Sequence, residues 1–349
     1  MPAIPTQVFT KITQNSPPLS FYPAAQRVTY LYYLGRFHFI NNHFRRAARC
    51  LQEAYLQTPA RFQKHRTQIL TYLIPCNLLL GRLPSEQLLA RPEARAQLAP
   101  VFVPLARAVR AGSFPGLQRA VAAHEGWLLR KGLLLTLTYR LRALVWRSFT
   151  RRVFLLTYAP SADDADAGGA IDQETDSRKA ATLELEHLLV AAQFVQRRLE
   201  GWYVPPSPHI NNHNHKGRQG SGSGINPMLL KAIINNNSRA AEQSHGDSST
   251  STTLVPPPRG PKVLRPDEGL VWGNMPITAE HIEAVVAGLV AQGLLNGFVA
   301  HAQARFAVIG ARAKGSAVAA GWPVVADVTV GHDRAENEPV PGWVRDRDV

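Results

Sequence analysis

The sequence predicts a mostly α protein: a tetratricopeptide-like α-solenoid followed by a winged helix. Three observations carry this. A long apolar stretch runs from Gly132 to Tyr158 and is interrupted only by short polar steps and arginines. A helical-repeat spacing stands near the start. Near the end, the order is helix, long insert, helix and β-rich hairpin.

The 132–158 stretch reads GLLLTLTYRLRALVWRSFTRRVFLLTY and holds no proline. It is long enough for about seven turns at 3.6 residues each. Apolar residues lie almost all round it, which predicts a helix buried between other helices. Arg140, Arg147 and Arg151 share one face, at i, i+7 and i+11. With Arg142 and Arg152 they exclude a membrane span, because each would cost about 2.5–3.5 kcal/mol near a bilayer centre.

Ahead of that helix, Leu31, Leu34, Gly35, Ala47, Leu51, Ala54 and Pro59 fall at the spacings of one tetratricopeptide repeat. The small residues let two antiparallel helices approach, and Pro59 ends the pair. Leu31 and His38 replace the repeat's usual Trp and Tyr. Further helices are predicted over 61–80 with a kink at Pro75, over 94–111 and over 116–130. Prolines and glycines punctuate them. Helix after helix with short joints reads as a solenoid.

Charge is uneven along the chain. The 349 residues carry a formal charge of +14. Up to Pro160 there are 22 Lys and Arg against Glu53, Glu86, Glu93 and Glu125, a surplus of 18. Such a field favours a polyanion or an acidic partner. Cys50 and Cys76 are the only cysteines, and both sit in apolar helical patterns, so small buried thiols in a reducing, intracellular compartment are expected. No cofactor or metal is implied.

Residues 1–23 are proline-rich and expected to be irregular, and 24–158 form the helical-repeat part. Residues 159–180 are an acidic, flexible loop that lacks the ligand spacing of a calcium-binding loop. A helix over 183–201 opens the winged helix, which spans 181–310. An insert over 203–266, rich in Asn, Ser, Gly and Pro, interrupts it and has too little apolar surface to fold alone. Its His209, His213 and His215 resemble a metal cluster, but the floppy, Asn-rich context speaks against one. A short helix over 228–234 is the one element expected inside it. Order is expected to return at Leu270. Thr278 caps a helix to about Gln292, and Gly293 ends it. Two β-rich runs, 294–301 and 305–310, then form a hairpin. The tail, 311–349, is Ala/Gly-rich and then mixed in charge, and is expected to fray.

These residues resemble the PCI-domain family, which joins helical repeats to a winged helix. The words that carry the resemblance are Tyr32-Tyr33-Leu34-Gly35-Arg36, Tyr72-Leu73-Ile74-Pro75 and Leu79-Leu80-Gly81-Arg82-Leu83-Pro84-Ser85. His124-Glu125 ahead of Arg130-Lys131-Gly132, and Gly297-Phe298-Val299-Ala300-His301 near the end, complete the set. Within the family, the sequence is most similar to subunits of two assemblies: the nuclear-pore-associated mRNA transcription-and-export complex and the signalosome. Asn296 stands where the family usually has Lys, which weakens a phosphate contact there. Family members carry more repeats ahead of Tyr22, so a truncated or shorter form is expected.

The resemblance implies a scaffold and no enzyme. Its winged helix would pair edge to edge with a larger PCI-type subunit through Leu294, Leu295, Phe298, Val299, His301, Phe306 and Val308. A small acidic protein of the proteasome-lid type would clamp the pair. RNA and DNA would be bound without sequence reading, by Arg130, Lys131, Arg140, Arg142, Arg147, Arg151, Arg152 and Arg305. The nucleus, at the nuclear pore, and also the cytoplasm are the implied locations. A sequence-reading transcription factor is disfavoured, because the 278–292 helix has no Arg or Lys to place in a major groove. An enzyme is disfavoured, because no phosphate loop, nucleophile elbow or HExxH pattern appears.

Overall fold

The structure is a computed structural model that describes residues 17–158, 181–204, 254–311 and 313–329. The expected acidic loop, the histidine triplet and the 228–234 helix lie outside the described residues. The protein is mostly helical. It divides into two compact units: Met1–Arg107 with Arg119–Leu144 and Val324–Val349, and Ala108–Gln118 with Val145–Pro323.

The first unit starts with a helical hairpin, α1 (Ala24–Ile40) and α2 (Phe44–Gln57). The turn places Asn42 at φ 63°, a left-handed conformation that Asn tolerates better than most residues. Ala47, Leu51 and Ala54 are fully buried on α2. A Cβ at Gly35 would lie 2.6 Å from Leu51 Cγ, so only glycine lets α1 come this near. The repeat spacing in the sequence is therefore the spacing of an interhelical contact. α3 (Gln63–Leu79) packs on α2 and continues one turn past Pro75. Two single-turn helices follow, α4 (Glu86–Leu89) and α5 (Pro92–Arg95), then α6 (Ala99–Ala111). The single helix expected over 94–111 is broken at residues 96–98. The one expected over 116–130 is α7 (Phe114–Ala123) and α8 (Glu125–Lys131), separated at His124, whose φ of −124° is not helical.

The long predicted helix is α9 (Leu134–Thr157). The division between the two units falls inside it, after Leu144, and not near the 158 boundary read from composition. In the second unit its later half buries Val145, Trp146, Phe149, Val153 and Phe154. Phe114, Trp146 and Phe149 meet edge to face, with centroids 5.0–6.2 Å apart.

The second unit also holds a three-stranded antiparallel sheet in the order β1-β3-β2. β1 (Thr182–Glu184) leads directly into α10 (Leu185–Leu199). α11 (Ala279–Ala291) follows, then β2 (Gly297–Ala300) and β3 (Arg305–Val308). α11 begins at Thr278, whose hydroxyl accepts from His281 N while His281 Nδ1 accepts from Thr278 N. β1 replaces the expected start of the helix at Leu183; three residues that run straight into a helix carry no alternation of their own. The run 294–301 is strand only from Gly297, since Leu294 and Leu295 turn inward after Gly293. A Cβ at Gly297 would lie 2.2 Å from Ala307 O, so the β2–β3 pairing admits only glycine there.

Two further expectations are corrected. Order is already present ahead of Leu270: Tyr203 and Val255 exchange backbone hydrogen bonds of 3.1 and 2.9 Å, and Leu264 is buried. Gln196, buried on α10, accepts from Leu270 N and donates to Gly273 O, which fixes this segment without any apolar run to announce it. The tail does not fray at Ala311. α12 (Ala317–Gly321) is capped by Ser316, and Trp322 packs its ring 4.8 Å from Phe154 and 6.2 Å from Phe306. One tryptophan anchors a segment whose Ala/Gly composition hides it.

Candidate nucleic-acid interface

The predicted basic residues divide between the two units. In the first unit, Arg130 and Lys131 close α8, and Gly132 ends it in the left-handed conformation. Tyr72 Oη on α3 donates to Lys131 O at 3.1 Å, which pins that helix end. Arg140 on α9 is exposed and lies over the Phe44 ring, 5.5 Å from its centroid. Arg130, Lys131 and Arg140 have no carboxylate partner among the described residues. Arg142 is half-buried. Among the first unit's described residues carboxylates are few, and the one that is buried is used internally. Glu93 accepts from Tyr55 Oη at 2.7 Å and pairs with Arg66 at 3.3 Å. Arg91 Nη1 donates to the same tyrosine oxygen at 2.9 Å. Among the unit's described residues, Lys and Arg thus outnumber Asp and Glu by 17 to 5.

In the second unit the predicted cations have different roles. Arg147 is a structural residue. Its Nε donates to Leu294 O at 3.2 Å and its Nη2 to Pro323 O at 2.7 Å. Burial, and then the neighbouring Arg151 charge, lowers its pKa from the ordinary guanidinium value. Arg147 therefore leaves the interface, because its donors are turned to carbonyls. Arg151 is exposed and Arg152 half-buried. Arg305 donates to Glu184 Oε1 at 2.9 Å across the β1–β3 pair, so its charge is already matched. α11 carries Glu280, His281 and Glu283 and no Lys or Arg, and Glu283 holds His301 Nδ1 at 2.8 Å.

The residues expected to meet a partner also separate. Leu294, Leu295, Phe306 and Val308 are buried in their own unit's core and are not available to a second chain. Alternation along β3 could not reveal this, since three of its four residues are buried. Phe298 is 52% exposed on β2, an edge strand of the sheet, with Val299 half-buried and His301 exposed beside it.

Sequence reasoning missed a second basic cluster in the first unit. Arg45 and Arg49 on α2 and Arg82 after α3 line a pocket of about 230 Å³. The i, i+4 spacing of Arg45 and Arg49 is its only signal in the sequence. The cysteines differ from each other: Cys76 is buried, which pushes its thiol pKa up, while Cys50 is half-buried. Among the described residues no cluster of His, Cys, Asp or Glu is suited to a metal ion, and no helix is long and apolar enough to cross a membrane.

No family model matches the chain. Over 183 residues it is 30% identical to the PCI domain-containing protein 2 homolog of Drosophila melanogaster, a match that covers 52% of this chain and 44% of the fly protein. Over 135 residues it is 33% identical to PCI domain-containing protein 2 of Danio rerio, covering 39% and 32%. Over 154 residues it is 34% identical to the Protein CSN12 homolog of Gibberella zeae, covering 44% and 33%. The chain is a relative of the PCI-domain proteins. It spans less than half the length of each of these relatives.

In this PCI-domain relative, the residue before Gly297 has an internal task. Asn296 Nδ2 donates to Ile309 O at 3.0 Å and to Ala320 O at 3.2 Å. Its backbone N–H donates to Gly321 O at 2.9 Å. Asn296 thus ties the hairpin to α12, and its amide is spent on carbonyls instead of a phosphate.

Proposed function

We propose that the protein is a non-enzymatic scaffold subunit of a PCI-type complex, whose basic helical face binds RNA and DNA without reading sequence. The observation that carries this is the set of cations on α8 and α9, exposed Arg130 and Arg140 with half-buried Lys131 between them, in a unit whose described residues include few carboxylates. Cations on a rigid helical frame suit phosphates, whose spacing is the same in every sequence. The acidic face of α11 argues against base reading in a major groove.

The order β1, α10, α11, β2, β3 is read as a winged helix, following the helices as repeats of a solenoid. β2 lies at the sheet edge, with Phe298 exposed on it. An edge of this kind suits strand-to-strand pairing with a larger PCI-type subunit. A small acidic proteasome-lid-type protein would complete the pair, in the nucleus at the pore and also in the cytoplasm, in mRNA export and transcription-coupled processes. The CSN12-named relatives support a second reading, a signalosome-associated scaffold.

Affinity purification from the native cell tests the assembly. Recovery of export-complex subunits supports the first reading, and recovery of signalosome subunits the second. Recovery of the protein alone, under conditions that preserve other PCI complexes, overturns both. Binding of single- and double-stranded nucleic acid, titrated with salt, tests the interface independently. Flat affinity between low and physiological salt overturns it.

A further inference from the structure

The pocket beside α2 has the donors of an anion site. Arg45, Arg49 and Gln52 occupy one face of α2, at i, i+4 and i+7, and Arg82 comes from the turn after α3; Asn77 near the end of α3 also lines the pocket, but its Nδ2 donates to Leu73 O at 3.0 Å. Thr329 closes one side. No Asp or Glu lines this pocket. Like charges four residues apart on a helix repel, so three guanidinium groups around one cavity are an unfavourable arrangement when it is empty.

A purely structural cluster would end its guanidinium groups on protein acceptors. Only Arg45 does so by a bond that also shapes the pocket: its Nη1 donates to Thr329 O at 3.4 Å. The Arg49 and Arg82 side chains are exposed and have no acceptor among the described residues. The helix end that points a negative dipole at its surroundings is closed on itself. Gly81 N donates to Leu78 O at 3.0 Å and Arg82 N to Asn77 O at 2.8 Å, so those α3 carbonyls are satisfied. Val325, a short way ahead of the pocket's Thr329, packs on Gly81 so closely that a Cβ there would lie 2.4 Å from Val325 Cβ. The arginines are thus held on a packed frame.

The volume limits the ligand. At about 230 Å³ the pocket is smaller than the range of about 300–1,000 Å³ that encloses drug-sized ligands. Guanidinium forks match the tetrahedral oxygens of phosphate in two-point contacts, which chloride does not reproduce.

We infer that Arg45, Arg49 and Arg82 form a discrete binding site for one phosphoryl group, of a pyrophosphate or phosphate monoester type. This site goes beyond the polyanion face of α8 and α9, uses none of its residues and does not depend on it. The phosphoryl group is carried either by a small phosphate ester or by the 5′ end of a polynucleotide.

Titration of the full chain with pyrophosphate, followed by calorimetry and by thermal shift at matched ionic strength, tests the site. Saturable binding with a raised melting temperature is expected. In Arg49→Gln with Arg82→Gln, both exposed positions, the affinity should fall at least about tenfold while the unliganded melting temperature stays put. Arg140→Gln should leave pyrophosphate binding unchanged. Oligonucleotides with and without a 5′ phosphate then separate the sources: preference for the phosphorylated end assigns the polynucleotide, and equal binding assigns the small ester. No stabilisation beyond an ionic-strength control, or the same stabilisation in the double variant, overturns the site. Duplex binding that persists in that double variant shows that the failure belongs to the pocket alone.

Discussion

Trp322 and Arg147 hold one another in place: Trp322 Nε1 donates to Arg147 O at 3.2 Å, and Arg147 Nη2 donates to Pro323 O, the next residue along, at 2.7 Å. One of the five arginines on α9 thereby becomes a clasp for a segment that follows it by some 175 positions. Arg151, one turn further along α9, is exposed.

The two arginines should respond differently to substitution. Arg147→Ala leaves Leu294 O and Pro323 O without their donor and should destabilise the fold by about 2–3 kcal/mol. Arg151→Glu should leave the melting temperature almost unchanged and weaken nucleic-acid binding. Thermal denaturation of both variants, with affinity measured on the folded one, checks this. Equal melting temperatures would show that the Arg147 bonds contribute nothing net.

Charge reversal on the first unit should change the salt response. Arg130→Glu with Arg140→Glu should lower duplex affinity and reduce the slope of log affinity against log salt by about 0.9 for each phosphate no longer neutralised. Fluorescence anisotropy at several salt concentrations reads both quantities. A weaker affinity with an unchanged slope would mean that these cations touch no phosphate.

Acid should loosen the Glu93 network. Burial pushes the Glu93 carboxyl pKa up, but the Tyr55 bond, the residue's own backbone bond and the Arg66 and Arg91 charges outweigh this, so it lies below its ordinary 4.5. A depressed folded pKa contributes stability that is complete above the unfolded value and is lost as pH falls through the folded one. The gap in melting temperature between wild type and Glu93→Gln should therefore be full near neutrality and shrink below about pH 4.5. Leaving Arg66 without its partner should cost about 3 kcal/mol at neutral pH. A gap that does not change with pH would assign the loss to packing instead.

The 205–253 stretch should be dispensable for folding. Tyr203 and Val255 are already paired, so the residues next to the ends to be joined stand about 5.5 Å apart at their Cα atoms, as in a hydrogen-bonded antiparallel pair. A Gly-Ser linker of about four residues should close the gap at little entropic cost. Circular dichroism and melting temperature close to those of the parent are expected. Extending the deletion through Pro261 should unfold the region by removing Val255. Aggregation of the shorter deletion would show that the stretch packs in the core.

Phe298 and Phe306 should part company as well. Phe298→Asp, at an exposed edge position, should change stability by no more than about 0.5 kcal/mol and abolish recovery of a partner subunit. Phe306→Ala should cost about 3–5 kcal/mol, because Phe306 is fully buried. Undiminished partner recovery with Phe298→Asp would remove β2 from the interface.

Much of the helical framework is legible in the sequence. Gly35, Ala47 and Leu51 announce a close helix pair, because small and apolar residues at repeat spacings are needed wherever two helix backbones approach. α9 and the Thr278-capped α11 are legible for similar reasons, each having a strong local pattern. The elements that escape have no local pattern. β1 is three residues long and merges with α10, and α12 is hidden in an Ala/Gly stretch held by Trp322. The site is less legible than the fold. Arg140, Arg147 and Arg305 look alike in sequence, yet one is exposed over Phe44, one is spent on two carbonyls and one is paired with Glu184.

By itself the sequence determined where the longest helices lie, which of their faces are apolar, that the positive charge gathers ahead of Pro160, and the PCI-type resemblance. Each of these is a property of neighbours along the chain, set by the 3.6-residue period, by caps and by composition. Tertiary structure alone decided which arginines stay available, which side of the hairpin is core, and that Arg45, Arg49 and Arg82 share a pocket. Those outcomes depend on groups far along the chain, such as the carbonyls of Leu294 and Pro323 that face Arg147 from 147 and 176 positions away, and no local spacing encodes them.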